Sequence, residues 1–225
     1  MKKAFQLKTL LLSMAVAGAA TMAIAPAAAQ AGVSANAGFV TDYIWRGMNQ
    51  SAEGTGQPAL QGGLDYEHDS GLFVGTWAST MDQGYEYDLY AGWGGSVKGF
   101  DLGATYTAYM YTEDSSTNEL NFQEVNLSAG YGPVSIGYDI NVTEDAKDTH
   151  YSVSLDASAV AEGISLTYGA TDDGVSGTPS MGYFDIGYAT DVEGFDLGVD
   201  VIFSDANTDD TTFFVVGLSK SFDLM

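Results

Sequence analysis

From Gly32 onward the chain alternates apolar and polar residues in short runs, and this period of two leaves little choice of secondary structure. In Phe195-Asp-Leu-Gly-Val-Asp-Val-Ile-Phe203, residues Phe195, Leu197, Val199, Val201 and Phe203 share one side, and Asp196, Gly198, Asp200 and Ile202 share the other. Successive side chains of a strand point to opposite faces, whereas a helix would scatter this pattern around its axis. Strands are expected near 33–45, 58–67, 71–80, 85–95, 100–112, 121–131, 134–142, 149–158, 163–171, 181–190, 195–204 and 211–222. Their lengths suit the roughly 9 to 11 residues of a tilted strand that crosses a bilayer.

The first 31 residues read differently. Lys2, Lys3 and Lys8 give a positive start, Leu10 to Ala20 is apolar, and Ala29-Gln-Ala31 has the small-x-small form of a cleavage site, with cuts after Ala27 or Ala29 as alternatives. That order is expected of a cleaved secretory signal, which leaves residues 32–225 as one domain. No later stretch has the roughly 18 to 20 apolar residues of a membrane helix, so a membrane-embedded mature chain would have to be a closed barrel. The chain has no cysteine, which excludes a disulfide framework. Beyond the signal, Arg46, Lys98, Lys147 and Lys220 stand against all 30 acids. So acidic a surface repels nucleic acid and favours cations.

The connections sort into two classes. Glu67-His-Asp-Ser-Gly71, Val97-Lys-Gly-Phe100, Tyr131-Gly-Pro-Val134, Val160-Ala-Glu-Gly163 and Val192-Glu-Gly-Phe195 are tight, with Gly to supply the positive φ of a hairpin turn. Interleaved with them are the longer polar segments 46–57, 113–120, 143–148, 172–180 and 205–210, broken in trend only by Met81-Asp-Gln-Gly84. Short turns at one end and long loops at the other are the layout of outer-membrane barrels. The expected fold is therefore an all-β, antiparallel, up-and-down transmembrane barrel of about 12 strands, with 10 or 14 keeping the even parity. Lys98-Gly-Phe-Asp-Leu-Gly103 and Glu193-Gly-Phe-Asp-Leu-Gly198 nearly repeat, which is read as one hairpin geometry used twice.

Asn36-Ala-Gly-Phe-Val-Thr-Asp-Tyr-Ile-Trp-Arg-Gly47, Pro58-Ala-Leu-Gln-Gly-Gly-Leu-Asp-Tyr66 and Gly71-Leu-Phe-Val-Gly-Thr-Trp-Ala-Ser79 resemble the opening of the TorF family of porins. Gly217-Leu-Ser-Lys-Ser-Phe222 is similar to that family's end, although the Asp223-Leu-Met225 tail lacks the terminal aromatic favoured by the barrel-assembly machinery. The resemblance implies an outer-membrane barrel with pore activity, and brings neither catalytic residues nor an assigned substrate.

In such a barrel the apolar set meets lipid and the polar set the lumen. Phe100, Leu102, Ala104, Tyr106 and Met110 are expected outside, as are Val134, Ile136, Tyr138, Ile140, Tyr151, Val153, Leu155 and Ala157. Tyr43, Trp45, Tyr66, Tyr85, Tyr87, Trp93, Phe100, Tyr131, Phe195 and Phe222 lie at strand ends, where membrane interfaces hold amphipathic rings. The candidate pore-lining set is Asp42, Glu86, Asp88, Asp101, Glu124, Asp139, Asp156, Asp185, Asp196 and Asp200, with Arg46 basic near a rim. These residues predict passive diffusion of small hydrophilic solutes with cations preferred. A rim hydrolase pairing His150 with Asp145 or Asp148, and a soluble exported β-sandwich, are the alternatives. His68 lies in a tight turn, too far from His150 to share a site. Neither Asp172-Asp-Gly174 nor Asp205-Ala-Asn-Thr-Asp-Asp210 has calcium-loop spacing, so no metal, cofactor or catalytic residue is assigned.

Overall fold

A computed structural model describes residues 32–51, 56–81, 84–112, 122–175, 180–205 and 211–224. The expected signal over 1–31, the loop 113–120 and most of 205–210 lie outside these residues. The strands are β1 (Gly32–Val40), β2 (Ile44–Trp45), β3 (Met48–Asn49), β4 (Ala59–Glu67), β5 (Leu72–Met81), β6 (Gly84–Val97) and β7 (Phe100–Tyr111). They continue as β8 (Phe122–Tyr131), β9 (Val134–Asn141), β10 (Thr149–Asp156), β11 (Ile164–Asp172), β12 (Met181–Val192), β13 (Phe195–Ser204) and β14 (Thr211–Asp223). All but β2 and β3 form one closed antiparallel barrel of 12 strands in chain order, sealed where β1 pairs with β14 from Ser34↔Asp223 to Val40↔Gly217. The sandwich is overturned: among the described residues there is no second layer, and every barrel strand has a partner on both sides.

The greasy face points outward. Leu64, Val74, Leu89, Leu102, Ile136 and Val153 are all exposed, and Ile136 shows 54 % of its surface. Between them on the same strands, Asp88, Thr105, Asp139 and Ser152 are buried. A soluble protein keeps no such continuous apolar belt on its surface. Tyr66, Tyr85, Tyr87, Trp93, Phe100, Tyr131, Phe195 and Phe222 are exposed near strand ends, with Phe100 against Tyr131 at 4.8 Å between ring centroids. Lys220 lies over the Phe195 ring at 4.6 Å, its stem covering apolar surface beside the turn.

The near-repeat has the local explanation given above. Lys98 (φ 53) with Gly99 (φ 86), and Glu193 (φ 54) with Gly194 (φ 80), make the same two-residue turn with positive φ at both positions. Val97↔Phe100 and Val192↔Phe195 close the two hairpins.

The first strand is shorter than expected. It ends at Val40 rather than 45, and Tyr43 and Trp45 do not join the exterior aromatics. After Thr41 bonds β14 through Val216, the chain turns into the barrel, where β2 and β3 form a small hairpin of their own. Tyr43 and Ile44 are each 1 % exposed, packed on Val40, Ala59, Tyr183, Ile202, Phe213 and Val215. The lumen is thus not uniformly polar: one wall near the long loops is apolar because a hairpin rests on it.

If lipid covers the exterior, Val153→Arg in the middle of β10 should lower unfolding free energy by about 2 to 4 kcal/mol in bilayers. Ser128→Arg on the inner face should change it by less than about 1 kcal/mol. Urea titration of the refolded variants measures both.

Candidate functional site in the barrel lumen

The inward hairpin is built on turn chemistry already met twice. Arg46 (φ 51) and Gly47 (φ 80) sit between the paired residues Trp45 and Met48, the same positive-φ pair as at the two exterior turns. A left-handed conformation costs a non-glycine residue roughly 1 to 2 kcal/mol, so something must hold Arg46 there. The neck is tied by Gln50 N–H donating to Tyr43 O (2.7 Å), Tyr43 N–H to Ser51 Oγ (2.8 Å) and Gly56 N–H to Asp42 Oδ1 (2.6 Å). Gly47 also touches the wall: a Cβ there would lie 2.5 Å from Ser204 Oγ.

The tip is held by charge. Arg46 Nη1 and Nη2 donate to Glu124 Oε1 and Oε2 at 2.7 and 2.9 Å, and Nη2 also reaches Asp139 Oδ2 at 2.8 Å. Arg46 is 5 % exposed, Glu124 1 % and Asp139 2 %. Asn126 Nδ2 donates to both carboxylates, and Tyr109 O–H donates to Glu124 Oε2 at 3.2 Å. His150 Nδ1 lies 2.8 Å from the same Asp139 oxygen that Arg46 uses, and its ring stacks on Tyr183 at 5.9 Å. Burial opposes the charge on Arg46, but Glu124 and Asp139 outweigh it and raise its pKa further, so the guanidinium stays ionised. Trp45 packs edge-on to Tyr109 and Phe122, with the guanidinium 4.3 Å from its own ring. On the other side, burial and then the Glu86 and Asp88 charges keep the Tyr43 hydroxyl well above its ordinary pKa, as a donor to Glu86.

Arg46 sits toward the long-loop end of the barrel, turned inward and buried against two carboxylates that need its charge. Two expectations are corrected by this geometry. His150 pairs with Asp139 across β9 and β10, not with Asp145 or Asp148, because its side chain faces the lumen while those residues lie in the loop. Tyr43 and Trp45 belong to the plug rather than to a membrane-facing ring.

The remaining candidates separate along the barrel. Glu86 and Asp88 on β6 are buried beside the hairpin; Glu86 accepts from Tyr111, while Asp88 Oδ1 has no hydrogen-bond partner. Asp185 and Asp200 lie on β12 and β13, on the opposite wall. Asp101, Asp156 and Asp196 are partly exposed toward the tight turns, where Asp101 accepts from Ser96 and Asp156 caps Ser158 N–H at 2.9 Å. That half is lined with small residues: Ser128 faces inward, opposite Gly137 and Gly103, and is exposed there. Sequence reasoning put Ile202 on the Asp200 side but missed the inner apolar wall that Phe213 and Val215 make with it. Phe213-Phe-Val-Val216 gave the signal, since four consecutive apolar residues grease both faces of a strand. Asp172 and Asp173 accept backbone N–H groups within their own loop, and among the described residues no three His, Cys, Asp or Glu side chains converge to hold a metal.

A family model described as "Bacterial protein of unknown function (Gcw_chp)" matches residues 24–222. The chain belongs to this family. The Gcw_chp description, not the TorF name, is what that match carries. No curated protein matches the chain. Among solved structures the Gcw_chp barrel is similar to a KdgM porin, with TM-score 0.55 and 9 % identity over 84 % of this chain and 99 % of that one. A KdgM porin in complex with disordered oligogalacturonate matches with TM-score 0.51 and 8 % identity over 85 % and 99 % of the two chains. A structure from a study of in-meso crystallization of membrane proteins matches with TM-score 0.58 and 12 % identity over 87 % and 84 %. At such identities the likeness is one of fold.

Arg46→Ala would strand Glu124 and Asp139 without a counter-charge, at a cost of about 3 to 5 kcal/mol. The hairpin should then leave the lumen, measured as faster chymotrypsin cleavage after Tyr43 and Trp45 in the folded barrel.

Proposed function

We propose that this chain is a porin-like channel of the bacterial outer membrane, of the TorF type, exported by a signal over residues 1–31 and folded over 32–225. It passes small hydrophilic solutes by passive diffusion, prefers cations, and does no chemistry on them. The observation that carries this reading is the inverted barrel, with apolar side chains exposed outside and polar ones buried inside, for which a closed sheet in lipid is the physical solution. The likeness in fold to KdgM porins supports it. Its partners are then outer-membrane lipid, the barrel-assembly machinery, and the solutes or cations that enter the lumen.

Selectivity follows from charge left over. Arg46 is matched by Glu124 and Asp139, while Asp42, Glu86, Asp88, Asp101, Asp156, Asp185 and Asp200 line the interior with no ion pair to a base among the described residues. A monovalent cation 10 Å from one carboxylate gains roughly 0.4 kcal/mol at the dielectric constant of water. Several acting together reach about 1.4 kcal/mol, a tenfold preference, before salt screens them. Oligogalacturonate, found with the similar KdgM porin, is a polyanion, and this lumen disfavours one. The hairpin sets the size limit, because it fills the section near the long loops with Tyr43, Ile44, Trp45 and Arg46.

Planar-bilayer recording of the refolded chain under a potassium chloride gradient tests the reading. Unitary steps with a cation-directed reversal potential are expected, and Arg46→Ala should enlarge them by freeing the hairpin. An intact barrel that passes no current in either form would overturn it.

A further inference from the structure

Strands β11, β12 and β13 run side by side, and their inner faces hold two adjacent rows. Ser165, Gly187 and Asp200 stand in one; Thr167, Asp185 and Ile202 stand in the next. The middle of the first row has no side chain. A Cβ at Gly187 would lie 2.7 Å from Ser165 Oγ and 2.9 Å from Asp200 Oδ1, so both oxygens lean over the glycine. Gly187 is not among the positive-φ glycines, so the backbone does not require it; the space above it does.

Both nearby carboxylates are incompletely partnered. Asp200 is 1 % exposed and its Oδ2 has no hydrogen-bond partner; Asp185 Oδ1, on the same inner face two residues before Gly187, has none either. On its far side Asp200 is flanked by the buried Val215. Among the described residues no ion pair reaches either acid, and the two Arg46 Nη atoms are taken by Glu124 and Asp139. Diagonal neighbours of this kind sit about 7 to 8 Å apart at Cβ or somewhat less, close enough for one ion to touch both side chains. A buried carboxylate beside a half-buried one, each with an oxygen left without a hydrogen bond, is expensive, and either a shared proton or a cation relieves the pair.

We infer that the space above Gly187 binds a hard divalent cation of the calcium class, ligated by Asp200, Asp185 and the Ser165 hydroxyl. Two carboxylates match its charge, and calcium accepts a flexible shell of oxygens completed by lumen water, where magnesium demands near-octahedral order. Two acidic ligands rather than three make the site exchangeable, with a dissociation constant on the order of 10⁻⁴ to 10⁻³ M. The inference rests on the reading of a water-filled lumen, through which the ion arrives, and does not need net current.

Calorimetric titration of the refolded full-length chain with calcium chloride tests it, with heat-modifiable gel mobility confirming each variant's fold. Gly187→Ala keeps both carboxylates and fills the cradle, so it should weaken calcium binding by about tenfold or more, as should Asp200→Asn. Ser165→Ala also keeps the charge and carries the decision should Gly187→Ala misfold. Unchanged affinity in the charge-preserving variant would reveal diffuse attraction and overturn the site, and absence of binding by the unaltered chain would favour the shared proton and overturn it too. Bilayer recording separates the two readings. Cation-directed current without a Gly187-dependent site sinks this inference alone; such a site in a barrel that passes no current sinks the channel alone.

Discussion

Each barrel strand is hydrogen-bonded on both sides, and the seam between β1 and β14 completes the ring. Hydrocarbon offers no partner to a free N–H or C=O, so an open edge there would cost several kcal/mol per unsatisfied group. Closure removes that penalty and lets Leu64, Leu89, Ile136 and Val153 face outward without exposing backbone. The polar alternates then have nowhere to go but inward, so the buried Asp88, Thr105, Asp139 and Ser152 follow from the same ring that permits the greasy exterior.

Inside, charge accounting explains the hairpin. A buried ion pair adds little net stability over an apolar replacement, because desolvation cancels most of the attraction. Losing one member is another matter, since the survivor remains buried and unpaired. The Arg46 contacts with Glu124 and Asp139 therefore specify position more than they stabilise: with the carboxylates built into β8 and β9, the guanidinium has one place to be, even at a left-handed backbone. The apolar wall of Ile202, Phe213 and Val215 supplies the burial that makes this place favourable for Tyr43 and Ile44.

Most of the barrel was legible because period two states both strand and facing, and because Lys98-Gly99 and Glu193-Gly194 mark turns by local backbone need alone. Strand number, interleaved loops and the inward projection of residues such as Asp139 and Asp200 needed no tertiary knowledge. The plug was illegible for a physical reason. Tyr43 and Trp45 keep the parity of Ala35, Ala37 and Phe39, blurred only by Val40, Thr41 and Ile44, so the pattern does not mark Val40 as the last wall residue. What bends the chain inward is Glu124 and Asp139, some 80 to 90 positions away. His150 is likewise read only from its fold, since its partner comes from the adjacent strand and not from its own loop. Two clues were local: Arg46-Gly47 has the same form as the other two turns, and three large apolar or aromatic residues are out of place in a polar loop.

The hairpin's contacts also set an order of events. Its seat draws on β6, β8, β9, β10 and β12 through β14, which surround it only when the cylinder is complete. On a flat, unsealed sheet those groups point toward solvent on distant strands, and the tip has no cage to enter. Docking of residues 42–51 is therefore a final latch on an already rounded scaffold, after the long closure of the β1–β14 seam.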